Sequence, residues 1–279
     1  MIMTDAFATL AGHYADQVRP RLDALAEMAA AGELDTAVDL LTAAIEAGGV
    51  IQAFGTGHSE AFAMEIAGRA GGLIPTNKIA LRDVVVRGDR DLDAASGSSL
   101  ERDPTVVEEL WSLSPIGPDD VFVIASNSGV NGSVVGMAIL AKEKGHGVIA
   151  VTSLEHTRKV SPKHPSGRRL CELADVVLDN LAPYGDATLA LGHSGAAPSA
   201  PRGVTGGSSP LTETRDVPVG AISSITSAFL AQLLTIGVAQ RISAAGQVPP
   251  LYLSANIPGG DAHNSELEHR YEGRIRRGV

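Results

Sequence analysis

Asp120-Val121-Phe122-Val123-Ile124-Ala125-Ser126-Asn127-Ser128-Gly129-Val130-Asn131 is the stretch from which the fold can be read. An apolar run too short for a helix enters a polar turn, and the turn opens a helix-forming pattern over residues 133–144. A continuous apolar run of this length, bounded by turn residues, is a strand buried on both faces. The same order recurs on either side. Val50-Ile51-Gln52-Ala53-Phe54 enters Gly55-Thr56-Gly57-His58-Ser59 and a helical pattern over residues 60–70. Residues 148–151 run into Thr152-Ser153, and residues 175–178 into Asp179-Asn180, with a short helical pattern near residues 168–174 between them. Strand, turn, helix, strand predicts an α/β protein whose parallel sheet is covered on both faces. Ligands in such sheets sit beyond the carboxyl ends of the strands, where these turns fall.

The flanks fit one domain over residues 1–279. Residues 7–30 and 34–47 read as two Ala-rich helices within an N-terminal segment 1–47, with Gly32 and Gly48-Gly49 as stops. Residues 193–217 consist mostly of Gly, Pro, Ser, Ala and Thr. They predict a flexible loop, either a passive insertion or a lid. Residues 217–240 carry no charge and are long enough to span a membrane, but Gly220, Ser223, Ser224, Thr226, Ser227, Gln232, Thr235 and Gly237 interrupt them. The expectation is a buried helix of the α/β core, with no membrane partner.

The chain of 279 residues balances 22 Lys+Arg against 32 Asp+Glu, a formal charge of −10, and 44% of it is hydrophobic. Global disorder is excluded. Its 31 Gly and 15 Pro imply many tight turns or backbone close to ligands. In residues 1–46, Arg19 and Arg21 stand against Asp5, Asp16, Asp23, Glu27, Glu33, Asp35, Asp39 and Glu46, so no basic arm for nucleic acid is expected. A lone Cys171 and an opening without a basic, then apolar, segment point to a reducing cytoplasm.

Two turns carry chemistry. In Ser126-Asn127-Ser128-Gly129-Val130-Asn131, hydroxyls, an amide and helix N-terminal N–H groups converge, and Gly129 lets the backbone approach. This is either a nest for a tetrahedral oxyanion or a turn that merely caps its helix. Gly55-Thr56-Gly57-His58-Ser59 is the second. It fails the dinucleotide fingerprint because Glu60 stands where the third Gly belongs, so no nicotinamide cofactor is expected, nor any other.

These turns, followed by VIAVTS and ADVVLDN, resemble the SIS (sugar isomerase) domain family of phosphosugar-binding proteins. The resemblance is closest to a bacterial group that shares His58 to Gly72, the SSLER stretch, HPSG, NLAPYGDA and SANIPGGDAHN. It implies a three-layer α/β/α sandwich with a five-stranded parallel sheet, sugar-phosphate ligands at the sheet edge, and a homodimer or homotetramer with a composite site. It places Ser126, Ser128 and Asn131 on the anion, with Gly57, Ser59, Asn127, Gly129 and Ser153 nearby. Many members carry Ser or Thr where this chain has Asn131.

Aldose–ketose conversion moves a proton between C2 and C1 through an enediolate, which requires a carboxylate or imidazole base and a second proton carrier. The candidates are Glu65, Glu101, His58 and His263. Glu65 could instead pair with Arg69 one turn on, and Glu101 could serve a helix dipole. His263 lies in the segment 254–279, expected to complete the site, since some SIS enzymes bring a C-terminal His from a neighbouring subunit. Arg158, Lys159, Lys163, His164, Arg168 and Arg169 form a basic stretch that either steers an anion or is simply solvated. No zinc spacing and no nucleophile elbow occurs, so neither a metal nor serine hydrolysis is expected. The expected function is an aldose–ketose isomerase of a sugar ending in phosphate or sulfonate. The alternatives are an etherase or other lyase sharing the C2 proton step, and a sugar-phosphate sensor without catalysis.

Overall fold

A computed structural model of the chain describes residues 2–191 and 216–276. Most of the loop expected over 193–217 lies outside the described residues. Five strands, β1 (Ile51–Gly55), β2 (Thr76–Ile79), β3 (Val121–Ala125), β4 (Gly147–Thr152) and β5 (Val176–Asp179), form one sheet in the order β2-β1-β3-β4-β5. All four pairings are parallel. The helices are α1 (Ile2–Ala30), α2 (Asp35–Glu46), α3 (Glu60–Ile66), α4 (Asp83–Val86), α5 (Ser99–Arg102), α6 (Val106–Ser112), α7 (Gly132–Glu143), α8 (Leu154–Lys159), α9 (Ser223–Ala244) and α10 (Gly260–His269).

Alternation along the strands divides the core into two layers. Ile51, Ala53, Val121, Val123, Ala125, Ile149 and Val151 face α2, α3 and α9. Phe54, Phe122, Ile124, Val148 and Ala150 face α6 and α7. Burial on both faces is why these strands read as unbroken apolar runs. Each large side chain removed from water contributes roughly 1.5–3 kcal/mol.

The segment 217–240 is not one helix. Residues Val217–Ala221 form β7, antiparallel to β6 (Ala187–Leu191), and α9 begins only at Ser223. Asp186 makes the break: its carboxylate accepts the N–H groups of Ile222 and Ser223 at 3.1 and 2.7 Å, satisfying the first orphan donors of α9. By length and composition α9 could cross a membrane. Here Thr226, Leu230, Ala231, Leu234, Val238 and Ile242 are buried, and the helix packs across α2 and α3 as a core helix does.

Strand β2 was not expected, because Thr76-Asn77-Lys78 is polar. It is an edge strand whose polar groups are answered by the C-terminal segment. Asn77 Nδ2 donates to Arg274 O at 2.6 Å, and Arg276 N–H donates to Asn77 Oδ1 at 2.8 Å. At the amino end of β3, the fully buried Asp120 carboxylate accepts Val50 N–H, Gln52 Nε2, Gly117 N–H and Arg274 Nη2 at 2.5–2.9 Å. One carboxylate thus joins β1, β3 and the C-terminal segment.

Candidate functional site

In the order β2-β1-β3, connections leave β1 and β3 toward opposite edges, which opens a crevice beyond their carboxyl ends. The turns after β1 and β3 form its walls. Gly129 adopts φ +62°, a left-handed conformation that suits glycine, and its N–H donates to Ser126 Oγ at 3.1 Å. Asn131 takes the N-cap position of α7, yet its side chain makes no capping bond. Consequently the N–H groups of Asn127, Ser128, Val130, Asn131, Gly132, Ser133 and Val134 have no acceptor among the described residues. Val130, Gly132, Ser133 and Val134 are buried. Unanswered buried donors are costly, and so many on one turn and one helix start concentrate N–H dipoles at the end of β3.

Glu101 stands at this site. Its Oε1 accepts from Asn131 Nδ2 at 2.5 Å, and its backbone carbonyl accepts from Ser133 Oγ at 2.9 Å. Its other carboxylate oxygen lies 3.8 Å from where a Cβ on Gly57 would be. Glu101 therefore bridges the mouth between the β1 turn and the start of α7. His58 is exposed beside Gly57, and Ser59 follows at the N-cap of α3. Ser128 is half-buried and its hydroxyl makes no hydrogen bond among the described residues.

Other expected residues are placed differently. Asn131 gives its amide N–H to Glu101, and its Oδ1 is buried without a partner among the described residues, so it orients the carboxylate rather than lying open to an anion. Ser153 is fully buried, donates to Ala182 O at 2.6 Å and accepts His156 N–H at 3.0 Å as the N-cap of α8, which takes it out of the crevice. Asn127 is turned toward Asn180, whose Nδ2 it accepts at 3.2 Å. Glu65 forms the ion pair with Arg69 and also accepts Gln232 Nε2 of α9 at 2.9 Å; among the described residues no hydrogen bond or ion pair joins it to Glu101 or to the β3 turn. His263 bonds Leu251 O at 3.0 Å, and Leu251 bridges Leu73 at the amino end of β2. Within one chain, residues 254–276 thus line the β2 edge and do not complete the crevice.

Sequence reasoning missed Asn180, Ser133 and Thr157. Asn180 holds Asn127 and Ser227 together, and only the shared NLAPYGDA stretch hinted at it. Thr157 Oγ1 is fully buried without a partner among the described residues and lies 3.3 Å from a Cβ placed on Gly129; nothing in the sequence marked it. The basic stretch packs behind the turn, with Lys163 N–H on Val130 O at 3.1 Å and Leu170 N–H on Gly129 O at 2.8 Å. Within it, burial pushes the His164 imidazole below its ordinary pKa, and its Nδ1 accepts Ser166 N–H at 3.1 Å. No group of three His, Cys, Asp or Glu able to hold a metal is present among the described residues.

A doubly wound α/β protein with a cluster of unanswered N–H groups and a carboxylate at its switch point is the class defined by fold and site. The chain belongs to the SIS-domain family, whose model matches residues 13–153. A UPF0309 protein of Geobacillus kaustophilus is 35% identical over 242 residues, covering 87% of this chain and 86% of the relative. Among solved structures, the phosphoheptose isomerase GmhA of Neisseria gonorrhoeae is similar at 19% identity and a TM-score of 0.44, covering 84% of this chain and 97% of that one. The Vibrio vulnificus NanR protein complexed with ManNAc-6P is similar at 16% identity and a TM-score of 0.45, covering 96% and 72%.

Proposed function

We propose that the protein interconverts the aldose and ketose forms of a sugar that carries a terminal anion. The observation that carries this reading is the set of unanswered N–H groups at residues 127, 128 and 130–134 with the Glu101 carboxylate beside it. The nest and the Ser128 hydroxyl hold the anion, and the far end of the sugar extends toward the β1 turn. Glu101 takes the proton from C2 and returns it to C1 through an enediolate, a role that needs a carboxylate held in place but not neutralised by a cation. Asn131 and Ser133 hold it there. His58, exposed across the mouth, carries the second proton between the sugar oxygens and assists ring opening. Gly57, Ser59 and Gly129 shape the walls. Glu65 and His263 are engaged by other partners within one chain, and in this reading they act across the interface of a homodimer or homotetramer. Residues 1–279 form one SIS unit in this reading.

The test is proton NMR in D2O with a panel of 6-phospho and 6-sulfo aldoses and ketoses. The wild type exchanges the C2 or C1 proton and forms the partner sugar. Glu101→Gln retains ligand-induced shifts but loses exchange, and Ser128→Ala weakens binding with an unchanged Tm. Binding without exchange in the wild type would reduce the protein to a sensor, and loss of a C3 substituent would make it a lyase.

A further inference from the structure

The nest has no cation of its own. Residues 126–134 contain neither Lys nor Arg, and Glu101 adds a negative charge beside them on a chain of net charge −10. An anion of two charges would meet that carboxylate at short range, where Coulomb repulsion amounts to several kcal/mol at an effective dielectric of about 20.

Two segments far apart in sequence each bring their backbone against the nest and carry a cation with no acceptor among the described residues. Lys163 is fixed by its own N–H on Val130 O, and the loop that it opens is pinned again where Leu170 N–H meets Gly129 O. Arg102, the residue after Glu101, rests its carbonyl on α7, so that a Cβ on Gly132 would stand 2.1 Å from Arg102 O. Both side chains are exposed, and neither has an acceptor among the described residues. Of the other cations of the basic stretch, Arg169 donates to Thr157 O and Val160 O, Arg168 to Glu172 O, and Lys159 to Glu155, while Arg158 on α8 is exposed without an acceptor among the described residues and has no backbone bond to the nest. Charge has been left uncommitted at the two positions that touch Val130 and Gly132, the residues on either side of the α7 N-cap.

We propose that Arg102 and Lys163 are the charge partners of the ligand's anion, and that they set a preference for a phosphate monoester over a singly charged sulfate or sulfonate of the same shape. The proposal rests on the anionic-sugar reading of the crevice. A phosphate monoester carries about −1.5 to −2 at pH 7. The backbone nest fits any tetrahedral oxyanion and does not count its charges, whereas two cations on long stems do.

Glucose 6-phosphate and glucose 6-sulfate serve as probes, titrated by calorimetry at low and at physiological salt. The proteins are the wild type, Ser128→Ala, Arg102→Gln, Lys163→Gln and the double variant. Neither glutamine replaces a bonded side chain, so Tm stays unchanged. The double variant is expected to lose about 10-fold in affinity for the phosphate, less than about 3-fold for the sulfate, and much of the salt dependence. Equal losses for both probes, or none in the double variant while Ser128→Ala still weakens binding, would overturn the proposal and leave the nest intact. A wild type that binds neither probe would overturn the nest and the proposal with it.

Discussion

Substituting Gly132 by Ala tests whether the α7 N-terminus and the Glu101 segment are in backbone contact. A Cβ at Gly132 would stand 2.1 Å from Arg102 O, 2.7 Å from Arg102 C and 3.0 Å from Pro104 N. These are backbone atoms and cannot rotate away, so the segment 101–104 must retreat by about 1 Å or more to restore ordinary contact. Overpacking of this kind costs roughly 1–3 kcal/mol, and alanine returns roughly 0.8–1.0 kcal/mol of helix propensity. The net expectation is a loss of about 0–2 kcal/mol. Gly12 in α1 has nothing within 4 Å of its would-be Cβ, so Gly12→Ala should keep the propensity gain and raise stability. The functional effect is larger, because the displaced segment carries Glu101 and the Ser133 Oγ to Glu101 O bond. A misplacement of about 1 Å is worth about 100-fold in rate. Urea denaturation gives the stability, and proton exchange at C2 gives the rate. Gly132→Ala with wild-type stability and wild-type exchange would refute the packing on which the site depends.

Asp120→Ala leaves Arg274 without its carboxylate and strips acceptors from Val50, Gln52 and Gly117, and breaking a buried pair of this kind costs about 3–5 kcal/mol; a loss under about 1 kcal/mol by chemical denaturation would contradict the clamp. His156 supplies a pH prediction. Burial pushes its imidazole below the ordinary value, with Lys159 adding to the push and Asp186 and Glu155 opposing it, while Nδ1 accepts Gly185 N–H at 3.0 Å. The folded protein then binds this proton less readily than the unfolded chain, so the contribution is complete above about pH 6.5 and is lost as pH falls through the folded pKa. An NMR titration of the His156 ring with a midpoint at or above the ordinary value would contradict it.

The strands of the sheet centre were legible because burial on both faces leaves a local trace, an unbroken apolar run that ends in a turn. The runs at 121–125 and 148–151 lie within β3 and β4. The edges were not legible in the same way. Strand β2 is satisfied by Arg274 and Arg276, nearly two hundred residues away in sequence, and a polar run answered at that range looks like a loop. The break between β7 and α9 depends likewise on Asp186, thirty-six residues upstream of Ile222.

The site divides along the same line. The sequence by itself determined the two turns, their place at strand ends and the backbone donors of the α7 N-terminus, because turn chemistry and helix termini follow from neighbours in the chain. It could not choose between Glu65 and Glu101, since both alternatives for each residue use ordinary local pairings. Tertiary structure gives them different surroundings. Folding turns Glu65 onto Arg69 and Gln232, and sets Glu101 between Gly57 and Asn131. It also withdrew Ser153 to cap α8 and set His263 on Leu251, near the amino end of the edge strand β2. A side chain's partners are fixed by whichever segments pack around it, and that information is distributed over the whole chain rather than written beside the residue.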